Sequence, residues 1–385
     1  MGTKSERLLS LDVFRGITIA GMILVNNPGS WGDLYPAVAH ASWNGCTPTD
    51  LIFPFFLFIV GVAITYSLSK RKERGDNHSE MIAQIFKRSL TLFGLGLILN
   101  GFPFFTWSDG FSFIDFSTFR IMGVLQRIAI VYFISSVLFL KVSTKSLTYI
   151  GSGILIFYWL VMNFIPVPGF GMPDLLSKPG EIATNLSAWF DRIILGSHVW
   201  SGSAPWDPEG LFSTIPAIGT TIIGILTGQW LRKDVESSVK VVWLFVAGNF
   251  LLLGGYVTDM WFPINKGIWT STYVIFTGGW ALIFLAMCYW LIDVKGYKAW
   301  AKPFHVYGMN AIAVFFLSGV IGRLMYMIKI PFNGEPMGIK TIIYNNLYLS
   351  WLEPINASLA YALVYILIWL GLMWILYAKK IFIKV

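Results

Sequence analysis

The chain has 385 residues; 56% of them are hydrophobic and 17% aromatic, only 12% are charged, and the net charge is +8. A soluble domain carries about 25% charged residues, so this composition, with a mean hydropathy of +0.66, excludes an ordinary soluble fold and selects a polytopic membrane protein. The positive charge does not indicate nucleic-acid binding, because the basic residues fall in short loops between apolar runs and there report orientation.

Apolar runs long enough to cross a bilayer, about 20 residues each, predict an all-α membrane helix bundle of about ten spans. They fall at 9–27, 50–69, 85–104, 119–140, 147–166, 211–231, 241–258, 270–292, 305–328 and 358–378. The first follows Lys4 and Arg7 as a signal peptide would. Asp12 and Arg15 interrupt it, however, and no small-residue cleavage site follows Val25, so it reads as an uncleaved span. Most of the 28 lysines and arginines lie in the N-terminal tail and alternate loops, ending with Lys379, Lys380 and Lys384; the opposite loops carry Lys178, Arg192, Lys266, Lys329 and Lys340. The positive-inside rule then places both termini in the cytoplasm. The outward loops become 28–49, 167–210, 259–269 and 330–356 of a single domain, 1–385. Cys46 and Cys288 lie in well separated segments and predict no disulfide. No metal-ligand spacing, nucleophile elbow or phosphate loop is present.

The polar residues are few and fall in telling places. His40 opens the stretch HASWNGCTPTDLIFPFFLF, at the mouth of the second span. It reads either as a loop histidine bonded to a carbonyl or as a general base or acyl acceptor at a membrane interface. Asp50, ten residues on, suits the N-cap of the second span and equally a carboxylate that orients the imidazole. His198, in the second outward loop, is the rival histidine. Asp12 and Arg15 share a helix face. Arg120, Gln126 and Arg127 lie in the fourth span, with Arg120 toward its outer end, and Arg323 lies in the ninth. Charges in hydrocarbon pair with one another or face a polar cavity, and arginine's fork of donors suits phosphate. Asn26 and Asn27 close the first span, and Asn310 sits in the ninth. Such amides either tie helices together or bind a ligand.

Several motifs in order carry a family resemblance: LDVFRG at 11–16, HASWNG at 40–45, DLIFPFFLFIVG at 50–61, GVLQRIA at 123–129, Asp191-Arg192, Asp207 to Gly210, FPINKGIWTSTYV at 262–274, DVKG at 293–296 and GMNA at 308–311. Along nearly its whole length the chain resembles the heparan-α-glucosaminide N-acetyltransferase family of transmembrane acyltransferases. The resemblance implies an enzyme that takes acetyl from acetyl-CoA on the cytoplasmic side and transfers it to the amine of a terminal glucosamine on the far side. It implies that His40 is the essential histidine, that Asn26 matches the family's asparagine near the end of the first span, and that Gln126 and Arg127 fall in a stretch like the family's own. Lysosomal members carry a longer N-terminal extension; this chain looks like a bacterial relative in the inner membrane.

On that reading Arg15, Gln126, Arg127 and Asn310 hold CoA, while Asp50 orients His40 and Asn26 or Asn44 donates to the developing oxyanion. Asp207, Glu209, Lys266 and Trp269 meet the sugar. Membrane lipid, CoA and an amino sugar are the expected partners, a homodimer is allowed, and neither metal nor nucleic acid is expected. Direct transfer and an acetyl-histidine intermediate stay open. So do two rival functions: a sugar transporter, which would not bind CoA, and an O-acyltransferase acting on an envelope glycan.

Overall fold

A computed structural model describes residues 8–106, 111–176 and 184–383. Lys4, Arg7, Lys178 and Lys384, invoked above for sidedness, lie outside the described residues, as does the 177–183 part of the second outward loop. The described residues form thirteen α-helices: α1 (Leu9–Asn26), α2 (Ile52–Glu73), α3 (His78–Gly101), α4 (Val124–Lys141), α5 (Thr144–Phe164), α6 (Leu186–Ile194), α7 (Thr214–Leu231), α8 (Ser237–Asp259), α9 (Ser271–Tyr289), α10 (Lys302–Met309), α11 (Ala311–Met327), α12 (Ile339–Leu347) and α13 (Pro354–Ala378). Two antiparallel hairpins complete the list, β1 (Phe105–Thr106) with β2 (Ser112–Phe113) and β3 (Lys329–Phe332) with β4 (Glu335–Gly338). Nine helices among the described residues are long and apolar enough to cross a membrane, ten if the bent pair α10–α11 counts as one span rather than a re-entrant loop. The protein is a polytopic all-α membrane protein.

Three predicted spans have different bounds in the structure, each for a visible reason. The third starts at His78, not at 85, because Asn77 caps it by accepting from the Ser79 N–H at 2.9 Å; the polar first turns are helical but invisible to hydropathy. The fourth starts at Val124, not at 119. Residues before it run extended, and the Asn100 amide donates to the carbonyls of Arg120 and Met122 at 3.1 and 3.0 Å, satisfying them without a helix. The ninth, 305–328, is broken at Asn310 into two helices bent by 82°.

The chain divides into two compact units. One gathers Met1–His40, Thr47–Phe53 and Met287–Lys384. Here α1 packs on α10, α11 and α13. Glycine permits the α1–α10 approach: a Cβ at Gly16 would strike the Phe304 carbonyl, and one at Gly308 the Asp12 carbonyl. The start of α1 has no cap of its own; Ser10 N–H donates to Asp293 at 3.2 Å, from the π-helical turn Trp290–Val294. At the bend, the buried Asn310 donates to the Ile381 carbonyl at 3.1 Å and accepts from Ile383 N–H at 2.8 Å.

The other unit gathers Ala41–Cys46 and Pro54–Ala286. Its α2, α4 and α7 are buried over most of their length, while α3, α5 and α8 leave most of theirs exposed. At the α2–α7 crossing the Gly224 and Gly228 pair lets backbones touch: Cβ atoms at Gly61 and Gly224 would strike the carbonyls of Thr221 and Phe58. Thr65 and Thr221 hydroxyls donate across the same crossing, to Ile225 and Leu57 carbonyls at 3.1 and 3.2 Å. Close backbones and hydroxyl bridges are what bind helices where lipid removes the hydrophobic drive.

Candidate active site

The Thr47-Pro48-Thr49-Asp50 turn builds the histidine site. Pro48 presets the first turn of a short 3-10 helix, Pro48–Leu51. Asp50 N–H donates to the Thr47 carbonyl at 3.0 Å, and Thr47 N–H donates to Asp50 Oδ2 at 3.0 Å. The Thr47 hydroxyl donates to the Ala39 carbonyl at 2.7 Å, and that of Thr49 to Ala37 at 3.1 Å. The turn thereby fixes the backbone just before His40. Asp50 is buried; its Oδ1 lies 2.6 Å from His40 Nδ1, while the imidazole is 48% exposed. The N-cap of this turn is Thr47, not Asp50; Asp50 sits at N3, where it closes the capping box through the Thr47 N–H and turns its other oxygen to His40. A carboxylate only accepts, so Nδ1 carries a hydrogen, and in the neutral ring the lone pair is then on Nε2. The loop before His40 is pinned to the first turns of α13: Tyr35 donates to Asn356 Oδ1 at 2.6 Å, and Ser30 N–H to Ser358 Oγ at 3.0 Å.

In this same unit Asn26 is exposed at the end of α1. Arg15 pairs with Asp12 at 3.0 Å and is about one-fifth exposed. Asn310, expected to hold CoA, instead spends its amide on the C-terminal tail, as described above.

The second cluster lies in the other unit. Arg120, which lies before α4, clamps Asp207 with two nitrogens at 2.7 and 2.8 Å and reaches Glu209 at 2.6 Å. Asp207 also accepts the N–H groups of Trp200 and Glu209, both at 2.9 Å. Burial favours the neutral form of Glu209, but the charges of Arg120, Arg127 and Lys266 outweigh it and hold the carboxyl below its usual range. Burial likewise works against the Arg120 charge, and its two carboxylate partners more than restore it, raising its pKa. Asp207 and Glu209, expected to bind sugar, thus serve first as counter-ions to Arg120, with Lys266 close enough to Glu209 to act on its charge.

Deeper, Arg127 is fully buried on α4. Its Nη2 donates to Ser213 Oγ at 2.5 Å and the Gly210 carbonyl at 3.3 Å, its Nε to Thr214 Oγ1 at 3.3 Å, and its guanidinium lies 4.9 Å from the Trp269 ring centre. Nη1 of Arg127 and both amide atoms of the neighbouring Gln126 are buried without a hydrogen-bond partner among the described residues. Orphaned polar atoms of this kind cost about 1–3 kcal/mol each and fit a ligand bearing amide, carbonyl or phosphate groups, which acetyl-CoA does. Beside them Asp191, on α6, accepts the N–H groups of Asp207 and Leu211 at 3.3 and 3.1 Å. Burial, reinforced by the Asp207 charge, pushes its carboxyl up to about 7.

Two other expected residues have defined surroundings. Trp269 is wholly buried, with its indole donating to Thr220 at 3.3 Å and its ring against the Arg127 guanidinium. Asn44 gives its amide hydrogens to the Leu175 and Leu176 carbonyls at 3.3 and 2.9 Å and accepts from Asn265 at 2.9 Å, so it ties three loops. His198, the rival histidine, bonds through Nδ1 to the Phe119 carbonyl at 2.8 Å, the bland role a loop histidine takes. Sequence reasoning passed over Thr47, although Thr-Pro-Thr-Asp is a capping-box pattern with proline in its first turn.

The catalytic model of heparan-α-glucosaminide N-acetyltransferase matches residues 7–255. Proteins of that name from Mus musculus and Homo sapiens are 28% and 29% identical to the chain, over 100% and 98% of its length. The chain spans 61% and 60% of those relatives. Motif order, a membrane bundle and a match across more than half the sequence agree: the chain belongs to the heparan-α-glucosaminide N-acetyltransferase family.

Proposed function

We propose that the protein is a membrane N-acetyltransferase that moves acetyl from acetyl-CoA to the amine of a glucosamine-type sugar. The observation that carries this reading is the half-exposed His40 imidazole held by buried Asp50 at 2.6 Å, within a family whose named members acetylate a glucosaminide. His40 Nε2 takes the proton from the sugar ammonium, and Asp50 stabilises the imidazolium that forms. The freed amine forms the new C–N bond as the thioester C–S bond breaks; the nitrogen gives up a second proton to the leaving sulfur, CoA departs as its thiol, and the imidazolium returns its proton to solvent. Acetyl-CoA supplies the activated acetyl group. Of the two candidate amides, Asn26, exposed at the end of α1, is the better placed to donate to the negative charge that develops on the acetyl oxygen, since Asn44 already binds three loops. Gln126 and Arg127 hold the CoA portion through the polar atoms that lack a partner among the described residues, and Lys266 with Glu209 orients the acceptor.

The charge asymmetry of the loops supports cytoplasmic termini, entry of acetyl-CoA from the cytoplasm and an acceptor on the far side of a bacterial inner membrane. The direct test is transfer of radiolabel from acetyl-CoA to glucosamine by purified protein, beside His40→Ala. Transfer by the wild type alone is the expected result. CoA binding with transfer to hydroxyl-only glycans would move the reading to O-acylation, and failure to bind CoA would move it to transport. Labelling without sugar separates the two routes: acetyl on protein means a histidine intermediate, and its absence from active protein means direct transfer.

A further inference from the structure

A trough of about 570 Å³ opens between α11, α12 and α13, within the range of small-molecule sites (~300–1,000 Å³). Its floor is a row at helical spacing on α13, Tyr361, Tyr365, Trp369 and Met373, all buried. Its rims, Leu317 and Ile321 of α11 and Val364 and Ile368 of α13, are exposed. The lining is apolar along the whole row, and the Tyr365 hydroxyl, which would interrupt it, is turned into a bond with the Ser318 carbonyl at 2.8 Å. From Tyr361 to Met373 the row rises about 18 Å, close to the ~15 Å of one leaflet of a bilayer core. One end is marked by charge. Lys340, on α12, places its ammonium 5.5 Å from the centre of the Tyr361 ring. No carboxylate pairs with it among the described residues, and burial holds its pKa below the usual lysine value. A half-buried cation without a counter-ion, at the head of an apolar trough one leaflet long, is complementary to one chemistry.

We propose that this trough holds one acyl chain of an anionic phospholipid, with the lipid phosphate on Lys340. The chain replaces open space along the α13 row, and the phosphate supplies the missing anion in a charge-assisted hydrogen bond. A second copy of the protein is the competing occupant, but a partner helix is about 10 Å across, too thick for a slot whose floor is a single row of side chains.

Native mass spectrometry of the delipidated full chain, titrated with phosphatidylglycerol and with phosphatidylcholine of the same acyl chains, tests this. The expected result is one tightly held phosphatidylglycerol, preferred by about tenfold or more, because the choline cation of phosphatidylcholine compensates the phosphate charge that phosphatidylglycerol leaves to Lys340. Lys340→Gln should abolish the preference while leaving weak binding of both lipids; Ile368→Trp, which fills the trough from an exposed rim, should abolish binding of both. Equal retention of the two lipids by the wild type, or tight phosphatidylglycerol binding that survives Ile368→Trp, would overturn the proposal. So would a dimer that Ile368→Trp converts to monomer.

Discussion

The histidine and arginine clusters of this protein solve opposite problems. His40 is half exposed and leans on one buried carboxylate, through a turn of four residues. Arg120, about one-fifth exposed, and the fully buried Arg127 lie among Asp191, Asp207 and Glu209, contributed by segments far apart in sequence. The first arrangement keeps a titratable ring in contact with solvent and fixes its tautomer. The second keeps charge out of hydrocarbon by surrounding it with counter-charge and hydroxyls. Proton traffic needs access, whereas holding charge inside a bundle needs enclosure, and residues of either cluster should fail in different ways when changed.

The sharpest break between them is His40→Gln. It retains a donor for Asp50, so folding should survive while acetyl transfer falls by about 10²–10⁴-fold, the usual scale for a general base, as measured with labelled acetyl-CoA. Arg120→Ala should do the reverse. It leaves Asp207 and Glu209 buried without their cation, a loss of about 3–5 kcal/mol, read as a lowered melting temperature in detergent. Retained stability would mean that Lys266 and solvent already suffice.

Asp191 sharpens the contrast through pH. Its carboxyl is raised from 3.8 to about 7, so between these values the folded protein holds a proton that the unfolded chain has lost. Its contribution is most favourable in acid and declines as pH rises from about 4 to about 7, with a slope approaching 1.4 kcal/mol per pH unit for one proton. Asp191→Asn should flatten that part of the stability curve; an unchanged curve would remove Asp191 as its source. The smallest effect belongs to Thr47→Val, which removes the hydroxyl bond to Ala39 beside His40. A loss of about tenfold in kcat, of the order of one hydrogen bond, should come with an unchanged KM and be restored by Thr47→Ser. A KM effect alone would assign Thr47 to substrate binding.

Much of the bundle was legible because a span must satisfy its own backbone in lipid and therefore writes itself as a long apolar helix. The break at Asn310 was not legible, since no proline announces it and the backbone groups that its amide meets lie about 70 residues away. His40 and Asp50 could be paired from their spacing and the capping pattern between them. The partners of Arg120 could not, because Asp207 and Glu209 reach it from the far side of α5 and α6. Trp269 looked like a platform for sugar because aromatic residues in outward loops often are; only the fold reveals that its indole is enclosed beneath Arg127.

The link between Asn310 and the strand beyond α13 has a practical consequence. Ala378 ends the last helix and is the natural place to trim the protein or to join a reporter. Cutting there would remove Ile381 and Ile383, and a buried amide at the sharpest bend in the bundle would lose both of its backbone contacts. The short segment after the last span is thus a keystone, set last in the chain and holding open an angle made much earlier.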